Sequence, residues 1–213
     1  MKIYVKEYIN KTIRVLLSFL FLLVIAESLY APIFAVFVTN YIEGATLATA
    51  GLAVAIFSIV KSIVQLPLAR YLDKNRGERD DFWVLVVGAL ASTLFPFFLL
   101  VVSKPWQLYL AEVFAGIGTA ALMAAYYAIF AHHVDKGSEA FEWSLFSVGG
   151  LTLSYAIGAA TGGFLADLFG FPRVFLISGI INVSTTVLLF FLYPFINGFR
   201  KRVPPAKIVY TKR

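Results

Sequence analysis

Hydrophobic and polar positions in this chain alternate on a single long length scale. Apolar runs of about 20 residues are separated by short polar or turn-forming breaks. Six runs can be drawn, at 15–38, 47–68, 82–102, 106–130, 141–164 and 174–195. A helix rising ~1.5 Å per residue needs roughly 20 apolar residues to cross the ~30 Å hydrocarbon core of a bilayer. Each run therefore predicts a transmembrane helix. The breaks fall at 40–44, 70–81, 103–105, 132–139 and 167–173, the last holding Gly170 and Pro172. The fifth run is the least apolar, being rich in Gly, Ser and Thr, so its ends are the least defined. The expectation is an all-α integral membrane domain over 1–198, followed by a basic cytoplasmic tail over 199–213.

Composition agrees with that pattern. The chain is 60% hydrophobic and 14% charged, with a mean hydropathy of +0.83. A soluble domain carries about a quarter charged residues, so the surface of this chain is built for lipid. The absence of cysteine removes disulfides, thiolate catalysis and Cys-ligated metal centres from consideration. A net charge of +6 could serve nucleic acid, but its placement at the ends of the runs fits anionic lipid instead. No nucleic-acid partner is expected.

The Lys and Arg residues set an orientation. With the amino terminus inside, inner segments hold fifteen of them: Lys2, Lys6, Lys11 and Arg14; Arg70, Lys74, Arg76 and Arg79; Lys136; and six in the tail. Outer loops hold Lys104 and Arg173, and Lys61 lies within a run. Such an imbalance predicts that both termini are cytoplasmic, in a plasma (inner) membrane protein. Trp83, Trp106 and Trp143 fall at run ends, where indole prefers the interface. The first run could be read as a secretory signal. Cleavage after Ala31 would place Pro32 next and leave Glu27 inside the apolar stretch, so an uncleaved span is expected.

Small residues recur every fourth position in the fifth run, at Gly150, Ser154, Gly158, Gly162 and Ala166, and in the fourth at Gly116, Ala120, Ala124 and Ala128. On a helix these line one face and admit a neighbouring backbone. Dense packing accounts for them, and a sliding contact would use the same smooth surface.

Four stretches go further. Ala69-Arg-Tyr-Leu-Asp73-Lys74-Asn-Arg76-Gly77-Glu-Arg79 follows the second run. Leu108-xxx-Glu112-xx-Ala115-Gly116-x-Gly118-x-Ala120 lies in the fourth. Ser154-xxx-Gly158-Ala159-xx-Gly162-Gly163 lies in the fifth. Gly163-Phe-Leu-Ala-Asp167-Leu-Phe-Gly170 closes the fifth and echoes the first stretch ninety-four positions later. Together they resemble the amino-terminal six-helix half of the major facilitator superfamily of secondary transporters, over nearly the whole chain. The resemblance implies two three-helix units in inverted topology, a major facilitator half-bundle. It implies an inner-gate loop of Asp73, Lys74, Arg76, Gly77 and Arg79, and an outer-loop copy at Asp167, Gly170 and Arg173. It makes Gly150, Ser154, Gly158, Gly162 and Gly163 helix-packing positions. Two departures stand out: Glu112 occupies a place where the family usually has arginine, and Ala159 replaces the proline of the antiporter motif. A solvated charged loop remains the plainer reading of residues 69–79.

Glu27, Lys61 and Glu112 lie inside apolar runs, where an ionisable group costs several kcal/mol unless paired or hydrated. Glu27 and Lys61 fall near mid-depth in consecutive helices, within about 10 Å of each other in depth. They are expected to pair structurally or to face a polar cavity together. Tyr30 and Gln65, one turn away from each, join them and Glu112 as candidate cavity residues, although Glu112, about five or six residues in from the outer surface, would also be explained by snorkelling. Pro32 interrupts backbone bonding just beyond Glu27, which frees polar groups at a substrate site or merely kinks the helix.

Other six-span chemistries find no support. There is no Gly-x-Ser-Gly with a partner histidine, no Asn-Pro-Ala repeat and no Walker loop. Adjacent His132 and His133 project about 100° apart on a helix, a poor metal grip. No enzyme activity, cofactor or metal is expected. The function expected is alternating-access transport of a small solute, with or without a coupling ion. A half-size chain would work as a homodimer or with a separate second half. The competing expectation is a non-transporting membrane scaffold or a truncated, degenerate relative.

Overall fold

The computed structural model describes residues 9–74 and 77–196. Lys2, Lys6, Arg76 and the tail 199–213 lie outside the described residues. Six helices are long and apolar enough to cross a membrane: helix 1 (Lys11–Tyr41), helix 2 (Leu47–Lys74), helix 3 (Glu78–Leu99), helix 4 (Pro105–His133), helix 5 (Glu139–Phe169) and helix 6 (Phe171–Phe195). All six coincide with the apolar runs. Their ends reach further because backbone groups stay satisfied within a helix after the hydrocarbon stops. The second break shows this most clearly. Helix 2 continues through Pro67 to Lys74, and helix 3 starts at Glu78, so Asp73 and Lys74 sit on a final helical turn. Glu78, Asp80 and Asp81 occupy the first turn of helix 3, where the helix dipole favours anions.

Helix 3 breaks at Leu94, just before Pro96, and helix 6 gives way to 3-10 turns from Leu189, while helices 1 and 5 are interrupted further in. Helix 1 is α-helical to Ser28, passes through a 3-10 turn at Ala31–Ile33 and resumes at Phe34. Pro32 has no N–H to donate and crowds the preceding turn. Helix 5 contains a π-helical stretch, Leu145–Leu153. There the hydroxyls of Thr152 and Ser154 donate to the carbonyls of Ser147 (3.1 Å) and Gly149 (2.6 Å), each five residues back.

The packing pattern follows an inverted repeat. Helix 4 packs against helices 2 and 3, and helix 1 packs against helices 5 and 6. Exchanging the first three helices with the last three turns one set of contacts into the other, and the contact between helices 3 and 6 maps onto itself. The chain is therefore an all-α bundle of two inverted three-helix units. Helix 5 approaches helix 1 through its small residues. An added Cβ at Gly158 or Gly162 would collide with the carbonyls of Ile25 or Leu29, while Gly150 faces Leu20. Gly163 meets nothing within 4 Å. Helix 5 ends at Gly170, whose φ of +77° reverses the chain into helix 6.

We call the end holding Lys11 and Lys74 proximal and the opposite end distal. One apolar cluster, centred on Phe19, Phe82, Tyr126, Phe130 and Leu189, fills the proximal half. A second, with Phe37, Leu99, Leu108 and Phe175, fills the distal half. Between them runs a belt of small polar groups. Ser178 donates to the carbonyl of Ala26 (2.7 Å), the hydroxyls of Ser92 and Thr119 are 3.2 Å apart, and those of Thr93 and Thr186 are 3.4 Å apart. The six-helix framework thus leaves its polar residues at mid-depth.

Candidate substrate cavity

A cavity of about 240 Å³ opens within this polar belt, on its distal side, among helices 1 to 4. Helix 1 contributes Glu27, Tyr30, Ala31 and Phe34; helix 2 contributes Val54 and Phe57; helix 3 contributes Ser92 and Phe95; helix 4 contributes Glu112, Ala115 and Thr119. The spacing explains why these residues converge. Positions 27, 30, 31 and 34 lie on one helical face, as do 54 and 57, and as do 112, 115 and 119. The Pro32 break falls inside the cavity wall, between Ala31 and Phe34.

The lining combines acid with aromatic carbon. Glu112 is 5% exposed and lines the cavity, and no hydrogen bond or ion pair engages its carboxylate among the described residues. Glu27 faces the same space from helix 1, half-buried. The rings of Tyr30 and Phe95 stand 6.0 Å apart, and Phe175 closes on Tyr30 edgewise at 6.0 Å from behind. Phe57 lies on the helix 2 side, with the Lys61 ammonium 5.8 Å from its ring centroid.

Three of the five expected cavity residues, Glu27, Tyr30 and Glu112, therefore share this space. Lys61 and Gln65 lie outside its wall, one and two turns proximal of Phe57 on helix 2. Lys61 is close enough to act electrostatically on Glu27, yet no contact ion pair joins them among the described residues. Both Lys61 and Gln65 are half-buried. Phe34, Phe57, Phe95, Ser92 and Thr119 had not been foreseen. For most of them a signal existed, since a turn or two along the face of an intramembrane carboxylate or ammonium finds Phe34, Thr119 and Phe57.

The remaining site candidates lie at the bundle's ends. Asp73, Lys74 and Arg79 are exposed at the proximal end, beside Gly77, which caps helix 3. Asp167 and Arg173 are exposed on either side of Gly170 at the distal end, with the Arg173 guanidinium 6.0 Å from the Phe169 ring. His132 and His133 direct ring nitrogens at carbonyls of their own helix.

Burial is uneven across the bundle. In the apolar core of helix 4, 61% of residues are buried, against 11% for helix 2 and 22% for helix 5. The uncovered face of helix 2 carries Ser58 and Ser62, whose hydroxyls donate to their own helix at 2.8 and 2.7 Å. Val54, at the cavity rim, is 52% exposed on this helix. The cavity therefore borders the least covered side of the molecule.

A family model described as the Major Facilitator Superfamily matches residues 16–209. Among curated proteins none matches the chain.

Proposed function

We propose, since this chain belongs to the Major Facilitator Superfamily, that it carries a small solute across a membrane by alternating access, with the mid-depth cavity as the substrate site. Members of this family are membrane transporters rather than enzymes. The observation that carries the reading is Glu112, a carboxylate without a partner among the described residues, turned into a hollow in the distal half of the bundle. A scaffold that only packs helices has no use for an ion there, because its burial costs several kcal/mol with nothing to offset it.

Alternating access requires a second bundle, which a second copy of this chain or a separate second half would supply. Six spans give both copies the same orientation, and a two-fold axis along the membrane normal would set their cavities face to face. Helices 2 and 5 supply the contact surface. Lys61, Ser58, Ser62 and Gln65 on helix 2 suit a protein partner or a shared hollow better than lipid tails. In this arrangement Asp73, Lys74 and Arg79 of one copy latch the proximal gate against the other. The distal set Asp167, Gly170 and Arg173 does the same at the opposite end. The excess of basic residues supports a cytoplasmic position for the proximal end.

The chain holds no cysteine, so one introduced thiol reports on one place. Thr119→Cys puts it in the cavity wall. A membrane-impermeant maleimide should label it both in right-side-out and in inside-out vesicles, because the cavity opens to each side in turn. Labelling from one side alone would remove alternating access and leave the scaffold reading standing.

A further inference from the structure

We propose that the cavity binds a small organic monocation, a quaternary or protonated amine with an aryl or alkyl body, which sets its charge against Glu112 and its body against Tyr30, Phe34 and Phe95. The inference rests on the transport reading for its purpose and on the cavity chemistry for its content.

Charge comes first. Two carboxylates face the cavity, and the nearby cation, Lys61, stands behind Phe57 and acts on Glu27. With both acids ionised, one negative charge is left over on Glu112, which has no ion pair or hydrogen bond among the described residues. A ligand bearing a single positive charge neutralises the site; an anion would add to the excess.

The remaining lining decides the kind of cation. A bare divalent ion wants six or more oxygen ligands, or a tight set of His and carboxylate groups. Here the two acids come from separate helices, and the hydroxyls of Ser92 and Thr119 already engage each other. No group of three metal-ligating side chains occurs among the described residues. Tyr30, Phe34 and Phe95 offer ring faces and edges, which attract a weakly hydrated cation through the aromatic quadrupole and cover its carbon skeleton. A sugar or other polyol could bond to Glu27, Tyr30, Ser92, Glu112 and Thr119 but would leave the negative charge of ionised acids unneutralised.

Size follows from the volume. Ligand pockets commonly measure roughly 300–1,000 Å³, and this bundle supplies about 240 Å³. The open side at Val54 lets a second bundle enlarge it, so one aromatic ring with an ammonium head suits the space.

The test uses the full chain reconstituted in lipid nanodiscs and radiolabelled phenyltrimethylammonium. Its neutral isostere, tert-butylbenzene, has the same shape with carbon in place of nitrogen, and benzenesulfonate reverses the charge. Saturable binding is expected, displaced by unlabelled phenyltrimethylammonium and unaffected by either analogue or by sodium. Glu112→Gln should weaken binding at least tenfold, Glu112→Asp should restore part of it, and Tyr30→Leu should weaken it several-fold. Each variant is first compared with the parent by size-exclusion elution. If Glu112→Gln fails to fold, the displacement series on the parent chain decides by itself. No saturable binding, equal displacement by tert-butylbenzene or by sodium, or unchanged affinity in a folded Glu112→Gln protein would overturn the proposal. Thr119→Cys labelling needs no ligand. Labelling from both sides without cation binding would therefore sink this substrate class and leave transport intact.

Discussion

Asn182 is fully buried in helix 6, and neither its amide nitrogen nor its side-chain oxygen has a hydrogen-bond partner among the described residues. An unsatisfied buried polar group costs about 1–3 kcal/mol. Asn182→Leu, close in volume, should therefore raise the unfolding temperature in detergent by a few degrees; a lowered midpoint would show that the amide is held by something worth more. Glu27 and Lys61 lead to a different expectation. If their electrostatic contact shapes the site, Glu27→Gln combined with Lys61→Met should abolish most transport, measured as proteoliposome uptake of a bound substrate. Full uptake by the double variant would reduce the pair to a packing detail. At this scale the acids and Tyr30 were legible in the sequence, because an ionisable side chain inside an apolar run has few harmless explanations. The aromatic wall was legible only in part. Spacing from Glu27 and Lys61 points to Phe34 and Phe57, but with 21 phenylalanines in the chain nothing distinguishes Phe95 from those that face lipid until the helices are assembled. Lys61 was read as a cavity group because depth along a helix is easily counted. Its position behind Phe57 depends on how helix 2 packs on helix 4.

Among the elements, the contact between helices 1 and 5 is the closest approach that the small-residue stripe provides. Gly162→Ala would drive a methyl group into the Leu29 carbonyl. The expected loss is about 1–3 kcal/mol, the usual cost of overpacking. Gly163→Ala, one residue on, meets open space and should stay within about 0.5 kcal/mol of the parent. Thermal unfolding of the two variants side by side checks this, and equal behaviour would mean that the stripe does not set the contact. All six helices were legible because hydrocarbon thickness imposes one length on every span. The internal breaks were less so. Pro32 announces its own, whereas the π-helical segment at Leu145–Leu153 depends on Ser, Thr and Gly choices that many α-helices also tolerate. Helical ends were underestimated at Lys74 and Phe169, since charged and aromatic residues end an apolar run without ending a helix.

For the molecule as a whole, the low cover on helices 2 and 5 and the small open cavity would both be met by the proposed second bundle set against that side. The inverted repeat was legible from a short echo between Asp73 and Asp167, and it reappears as a symmetry in which helices touch. The sequence led to the expectation of a homodimer or a separate second half, but not to the face it would cover, because an apolar face reads the same against lipid or protein. One measurement bears on this most directly. Single spin labels introduced by Thr46→Cys near the distal end and by Lys74→Cys at the proximal end, in otherwise cysteine-free protein, report distances between copies by pulsed dipolar spectroscopy in lipid nanodiscs. The account predicts an intermolecular distance at both positions, with two populations at each, one for the open and one for the closed state of that end. No dipolar coupling between copies, or a single fixed distance at both ends, would contradict it.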